Sequence, residues 1–194
     1  TGTHNTVLGR YAGYNITTGD HNIGIGSSGL GYAFNHTDIT GDYNIGMGFE
    51  SGHTISSGAH NLVVGYQAGY NITTGTENTI IGKETGKAIT TGSGNLYIGS
   101  QAGENATTAS DNIAIGRSSG RLNTIGSGNV SLGRLALYGN SAATNTDANT
   151  AIGHQSLMNN RGNNNTAVGH LTLNTNTTGT QNTGVGYIAL SLNT

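Results

Sequence analysis

The chain has 194 residues, with 7 basic and 9 acidic side chains, a formal net charge of −2, 34 glycines, no proline and no cysteine. The lack of cysteine excludes disulfides and thiolate metal sites, and the few scattered lysines and arginines argue against a nucleic-acid partner. No apolar stretch approaches the roughly 20 residues of a membrane-spanning helix, so membrane insertion is not predicted.

An asparagine followed four residues later by a glycine occurs eleven times, and successive asparagines are usually 17 residues apart. A fixed short period that fills a chain is typical of stacked repeats. We therefore predict an all-β fold, a repetitive parallel β-solenoid or β-roll of eleven coils. It forms one repeat domain over residues 1–194, with insertions near 30–42 and 138–148. The asparagines are Asn5, Asn22, Asn44, Asn61, Asn78, Asn95, Asn112, Asn129, Asn149, Asn165 and Asn182.

With each of these asparagines taken as position 1, position 4 is apolar in all eleven repeats and position 2 often is. Apolar residues at 2 and 4 around a variable position 3 indicate a short β-strand, and glycine at position 5 ends or bends it. We expect the position-4 residues to form an inward-facing column that position 2 often joins. The repeat as a whole predicts the order strand, bend, strand, turn.

Two further positions indicate tight packing and turns. Position 8 is always small, as expected where coils approach closely or the chain turns a narrow corner. Position 15 is glycine in nine repeats and often follows a Thr-Thr pair, such as Thr73-Thr74. This pattern predicts an extended segment that enters a turn, with the glycine supplying a positive φ.

Two or three apolar side chains per coil would make a narrow core, which favours self-association, and a parallel homotrimer would complete the burial. A monomeric solenoid with a tight Leu/Ile core is the alternative. Thr1 and Thr194 fall at positions 14 and 13 of the repeat. The chain would thus continue in phase into another copy, which predicts a window of a longer fibre or end-to-end stacking.

Three segments near the C-terminus carry a resemblance to a known class. They read Asn-Thr-Ala-Ile-Gly from Asn149, Asn-Thr-Ala-Val-Gly from Asn165 and Asn-Thr-Gly-Val-Gly from Asn182. The pattern resembles repeat regions of phage tail fibres and bacterial surface fibres. More loosely it resembles the head repeats of trimeric autotransporter adhesins, where Ser-Val-Ala-Ile-Gly units build a left-handed β-roll. The resemblance implies a homotrimeric fibre that is extracellular, on a cell surface or on a virion, and that provides reach, rigidity and attachment.

The candidate binding residues lie where side chains should be exposed or where the period breaks. The asparagine column itself is interpreted as a structural hydrogen-bonded ladder. Position 6 should form an exposed ridge of aromatic and basic residues suited to sugars or surface anions, or simply a solvated ridge; it includes Phe49 and Tyr66. The first insertion brings Tyr32, Phe34 and His36 into a recognition loop or a loop that packs against the coils. His154 and His170, one coil apart, lack the further ligands that a metal site needs.

The predicted function is a structural fibre segment that self-associates and has an adhesive role toward a surface glycan or receptor. The alternative is a monomeric carbohydrate- or ice-binding solenoid, the latter because repeated Thr pairs could form a flat ladder. The carboxylates are isolated and no nucleophile-base arrangement recurs, so neither catalysis nor a cofactor is predicted.

Overall fold

Each Asn-to-Gly segment forms a three-residue β-strand at positions 2 to 4 of its repeat. The computed structural model describes residues 2–31, 38–139 and 146–193. The strands are β1 (Thr6–Leu8), β2 (Ile23–Ile25), β3 (Ile45–Met47), β4 (Leu62–Val64), β5 (Thr79–Ile81), β6 (Leu96–Ile98), β7 (Ile113–Ile115), β8 (Val130–Leu132), β9 (Thr150–Ile152), β10 (Thr166–Val168) and β11 (Thr183–Val185).

All eleven strands form one parallel sheet in chain order. Each residue pairs with the residue at the same position in the next strand, as Val64 does with Ile81. The register holds across both long repeats, since β2 pairs with β3 and β8 pairs with β9 in the same way. The parallel β-solenoid prediction is confirmed. The ranges above contain no helix, and hence none long and apolar enough to cross a membrane.

The predicted orientation of the strands is wrong. The middle residue, at position 3, is buried in ten of the eleven strands, whereas positions 2 and 4 are buried in none. A strand places successive side chains on opposite faces, so the apolar position-4 column and its position-2 neighbour point outward. Of the three strand columns, the core therefore contains the one whose residues vary most in size, from Gly24 to Tyr97.

Most of this variation is offset at position 9, which is glycine in the coils of Ile80 and Tyr97 and leucine in the coils of Gly24 and Ala151, while Leu30 of the preceding coil fills the space at Gly46. In coils 3 to 5, position 9 is glycine and position 12 is a buried isoleucine: Ile55, Ile72 or Ile89. In coils 9 and 10, position 9 is a buried leucine, Leu157 or Leu173, and position 12 is a buried asparagine. A Cβ on Gly69 would lie 2.7 Å from Cδ1 of Ile72, so the two positions share one volume. The buried position-8 residues, including Ala68 and Thr85, fit the expected close approach of coils.

The second extended segment of each coil is not a regular strand. The carbonyl oxygen of Thr90 accepts hydrogen bonds from the backbone N–H groups of Thr73, Thr74 and Gly75 at 2.9, 3.3 and 3.3 Å. Several donors thus converge on one acceptor instead of alternating along a ladder. An irregular segment with this hydrogen-bond pattern thus replaces the predicted second strand.

The glycines have two different roles. Position 5 has φ between +110° and +136°, a region that L-residues rarely adopt. Position 15 does not have the predicted positive φ; a Cβ on Gly58 would instead lie 2.5 Å from the carbonyl oxygen of Gly75 in the next coil. The left-handed residue of that turn is at position 17, as at His60 (φ 58°) and Glu77 (φ 59°).

Candidate functional site

The outer face of the sheet is a continuous apolar surface of partly exposed and exposed side chains. Positions 2 and 4 contribute 22 side chains, of which 17 are aliphatic or methionine, 5 are threonine and none is charged. Met47 and Ile113 are exposed within the sheet, and Leu8 and Val185 at its two ends are each 69% exposed. At about 4.8 Å per strand the face is about 48 Å long, and it is two side-chain columns wide. Contiguous exposed apolar surface of this kind marks an interaction site.

The asparagine column is engaged inside the solenoid. The Nδ2 of Asn78 donates to the carbonyl oxygen of Gly92 at 2.8 Å, which ties the two ends of one coil together. The same Nδ2 and the backbone N–H of Asn78 both donate to Oδ1 of Asn61, each at 3.1 Å. Asn95 repeats these bonds toward Asn78. These amides are buried and hydrogen-bonded, so they present no polar groups to a ligand.

Sequence reasoning missed a second ladder, at position 16. There a side-chain oxygen accepts a hydrogen bond from the backbone N–H of the preceding coil, as Asp42 does from Asp20 at 2.7 Å and Ser110 from Ser93 at 3.1 Å. The asparagine ladder has the opposite polarity, because each of its oxygens accepts from the following coil. The recurrence of Thr, Asp and Ser immediately before position 17 was the available signal.

The position-6 ridge holds two of the predicted contact residues together. The rings of Phe49 and Tyr66 stack with centroids 5.4 Å apart and planes 11° apart, and they are 44% and 46% exposed. Each ring covers one face of the other, so the pair presents mainly its edges to solvent. The other predicted contacts, Tyr32, Phe34 and His36, lie outside the described residues.

Further along the same ridge, His154 and His170 stack with centroids 5.0 Å apart and planes 19° apart. Nitrogen lone pairs lie in the ring planes, so two nearly parallel rings do not converge on one ion. A ring nitrogen of His154 lies 3.3 Å from the guanidinium of Arg134, which also disfavours a cation there. No group of three or more metal-ligating side chains occurs among residues 2–31, 38–139 and 146–193.

A stacked ring column at position 17 was not anticipated. His4 and His21 have centroids 4.6 Å apart, His21 and Tyr43 4.9 Å, and Tyr43 and His60 5.0 Å, with planes within 9° of parallel. The column ends at Glu77, where the repeat no longer supplies a ring. Parallel in-register coils bring equivalent side chains within stacking distance, so the recurrence of rings at position 17 of successive repeats was the sequence signal.

The Thr pairs considered for ice binding are partly used internally. The hydroxyl groups of Thr73 and Thr107 donate to the carbonyl oxygens of Thr90 and Thr124, both at 3.1 Å. In four of the five pairs only the second threonine, such as Thr74, is exposed, whereas Thr177 and Thr178 are both exposed. The pairs therefore do not form a two-column exposed hydroxyl array.

Comparison with family models, with curated proteins and with solved structures gives no match for this chain.

Proposed function

We propose that this chain is a segment of a structural fibre that assembles as a parallel homotrimer through the outer face of its sheet. The observation that carries the proposal is the charge-free apolar face, which extends over all eleven coils. The resemblance of the chain's sequence repeats to those of phage tail fibres and bacterial surface fibres favours an extracellular, cell-surface or virion location. Reach and rigidity come from the stacked coils, and adhesion from the exposed ridge at position 6.

A parallel trimer fits the shape of this face. The face is two columns wide, and a three-fold axis along the rod lets position 2 of each chain meet position 4 of the next. Such contacts close after three chains and cover both columns of every chain. Because parallel chains in register place equivalent coils at the same height, the position-2 and position-4 side chains of each coil pack together. Burying them removes the apolar surface that a single chain leaves in water.

The test is the molar mass of assemblies in which the face is interrupted. The unmodified protein is expected to have three times the 19.7 kDa chain mass by light scattering. The double variant Val64→Lys/Ile81→Lys places charges in the position-4 column and should yield monomers. The control Thr74→Lys/Thr91→Lys adds the same charges to the same two coils on the exposed corner and should remain trimeric.

Circular dichroism establishes whether each variant keeps its β-structure. A monomeric unmodified protein at all concentrations, or a face variant that stays folded and trimeric, would refute the homotrimer. A stable dimer would retain the face as an interface but refute the three-fold arrangement.

An ice-binding monomer is the second candidate, and one feature of the same face favours it. Thr150, Thr166 and Thr183 lie in register along position 2, beside the aliphatic column of position 4. A regular array of hydroxyl and methyl groups on a flat sheet suits ordered water. Thermal hysteresis by a monomeric sample, lost in Thr166→Lys, would favour this function over the fibre.

A further inference from the structure

The types of residue on the position-6 ridge change along the rod. From coil 7 to coil 10 it carries Arg117, Arg134, His154 and His170, one in each successive coil. Arg117, Arg134 and His170 are exposed and His154 is half-buried. His154 touches both neighbours: its ring lies 3.3 Å from the Arg134 guanidinium and stacks on His170. The four side chains thus form one unbroken cationic and imidazole strip, called here the basic strip.

No carboxylate neutralises the basic strip from the adjoining columns. Positions 4, 5 and 7 of these four coils hold only aliphatic residues, Gly, Ser118 and Gln155. Asp147 is the one acidic residue from 112 to 194, and its carboxylate accepts the backbone N–H of Ser127 in the position-16 ladder. Within the described ranges the ion pairs join Lys83 and Lys87 to Glu84, and Arg121 to Glu104. Neither arginine of the basic strip takes part in them.

The geometry of the basic strip selects the shape of an anionic ligand. Its groups repeat once per coil along the rod, with the two imidazole centroids 5.0 Å apart, close to the length of one pyranose unit. Duplex DNA carries one charge per about 1.7 Å of its axis, a much denser array than one cation per coil. A single extended chain with one anionic group per sugar matches the spacing better. Guanidinium groups pair with carboxylate and sulfate in bidentate geometry.

We infer that the basic strip binds an extended acidic polysaccharide lying along the rod, with its anionic groups on Arg117 and Arg134 and on the imidazole N–H groups of His154 and His170. This inference deepens the adhesive part of the proposed fibre function. It names acidic glycans as the ligand class and places binding in the C-terminal half of the ridge.

His154 makes this binding pH-dependent. Desolvation lowers the pKa of His154, and the nearby charges of Arg134 and His170 lower it further. The other groups that adjoin the His154 and His170 pair are Gln155, which is neutral, and Tyr187, whose ring lies 5.5 Å from that of His170. An anion held on the basic strip offsets the repulsion from Arg134 and so favours protonation. Affinity should therefore increase as pH falls through the titration of His154.

The experiment measures binding of a polygalacturonate oligosaccharide to the full chain by biolayer interferometry at pH 5.5 and pH 7.5, with neutral dextran as the reference glycan. We expect salt-sensitive binding that is tighter at pH 5.5. Arg117→Ala and Arg134→Ala should each weaken it about tenfold. Lys83→Ala is the matched control, because it removes one charge from the same ridge where Glu84 already balances it, and should change affinity less than about twofold.

Three results would overturn the inference: no binding at either pH, equal losses in Lys83→Ala and Arg134→Ala, or stronger binding of a short DNA duplex that the same arginine variants abolish. The molar mass of each sample is measured in the same buffer. If a monomer binds the glycan, the homotrimer is refuted and glycan binding by the basic strip is supported. If a trimer does not bind the glycan, glycan binding is refuted and the trimeric fibre is supported.

Discussion

The Oγ of Ser93 accepts a hydrogen bond at 3.0 Å from the backbone N–H of Thr76, one coil earlier. Equivalent bonds join Thr3 to Asp20, Asp20 to Asp42, Ser93 to Ser110, Ser110 to Ser127 and Ser127 to Asp147. The ladder is interrupted at Ala59, where the side chain has no oxygen to accept from the N–H of Asp42.

Ala59→Ser should add the missing bond from the N–H of Asp42 and stabilise the fold by about 0.5–1.5 kcal/mol, the net contribution of one hydrogen bond. Ser93→Ala is the reciprocal change, and it should destabilise by a similar amount because it removes an existing acceptor. Urea unfolding followed by circular dichroism measures both. A stabilising effect of Ser93→Ala, or a loss of stability in Ala59→Ser, would contradict the energetic role of this ladder.

The sequence predicted the parallel solenoid and its coil boundaries because Asn and Gly are fixed by backbone geometry. It failed on which face of the strand is buried, since an alternating pattern is the same from either side. Position 4 was assigned to the core because its residue is apolar in all eleven repeats. The true core column includes Gly24, Tyr97 and Ser131, whose size differences are largely offset at position 9. That compensation involves residues far apart in the repeat, so no single column reveals it.

Prediction of the candidate site was limited in a related way. The exposed ridge at position 6 could be inferred from its composition, and Phe49 and Tyr66 lie side by side on it. The stacking of these two rings depends on three-dimensional neighbours. So do the ion pairs, which involve other basic residues and not Arg117 or Arg134. The apolar outer face was assigned to the interior, so this candidate interface was missed.

The asparagine ladder should tolerate little change. Asn78→Ala removes the donors to Asn61 and Gly92 and the acceptor for Asn95 from a fully buried site, and should cost about 2–4 kcal/mol. The control Asn182→Ala affects a half-buried amide that bonds Asn165 in the last coil, and should cost about 1 kcal/mol. Chemical unfolding gives both values. Equal losses would show that burial within the stack does not amplify the effect.

Position 5 should require glycine. Gly48 has φ +136°, and a Cβ there would lie 2.5 Å from the carbonyl oxygen of Gly65. Gly48→Ala therefore combines backbone strain with a clash against fixed backbone and should cost more than about 3 kcal/mol.

Gly128 is the matched control for this substitution. Its φ is +68° and a Cβ would meet no atom within 4 Å, so Gly128→Ala should cost only the left-handed strain of about 1–2 kcal/mol. Thermal unfolding ranks the two variants. The opposite order would mean that close approach of the coils does not determine the need for glycine.

His53 should make the fold sensitive to acid. It is buried against the ring of Tyr70, with centroids 4.4 Å apart. Desolvation lowers its pKa, and the charge of Glu50 partly offsets this effect. Since the unfolded chain protonates this histidine more readily, its contribution to stability is complete above the ordinary pKa of about 6.5 and decreases as pH falls below it.

The pH dependence of unfolding between pH 7.5 and pH 5 should consequently be shallower in His53→Gln than in the unmodified protein. Glu50→Gln removes the offsetting charge and should make the dependence steeper. Urea midpoints at four pH values measure the slopes. Identical slopes in the unmodified protein and His53→Gln would show that other groups control acid sensitivity.

The sharing of core volume between positions 9 and 12 predicts a strong coupling. Gly69→Leu alone should be strongly destabilising, because its Cβ would lie 2.7 Å from Cδ1 of Ile72. Ile72→Asn alone puts an amide into a fully buried apolar site and should cost about 3 kcal/mol or more.

The double variant recreates the combination that coil 10 uses at Leu173 and Asn176. There Asn176 is satisfied by Gly179, to whose carbonyl oxygen it donates at 2.9 Å, and Gly75 is at the corresponding turn of coil 4. In Gly69→Leu/Ile72→Asn the smaller asparagine leaves room for the leucine. The double variant should therefore lose less unfolding free energy than the two single variants together, by at least about 1–2 kcal/mol. A double-mutant cycle by urea unfolding measures this difference. Strict additivity would mean that the two positions do not exchange volume, and that the Gly/Ile and Leu/Asn coils are held by unrelated packing.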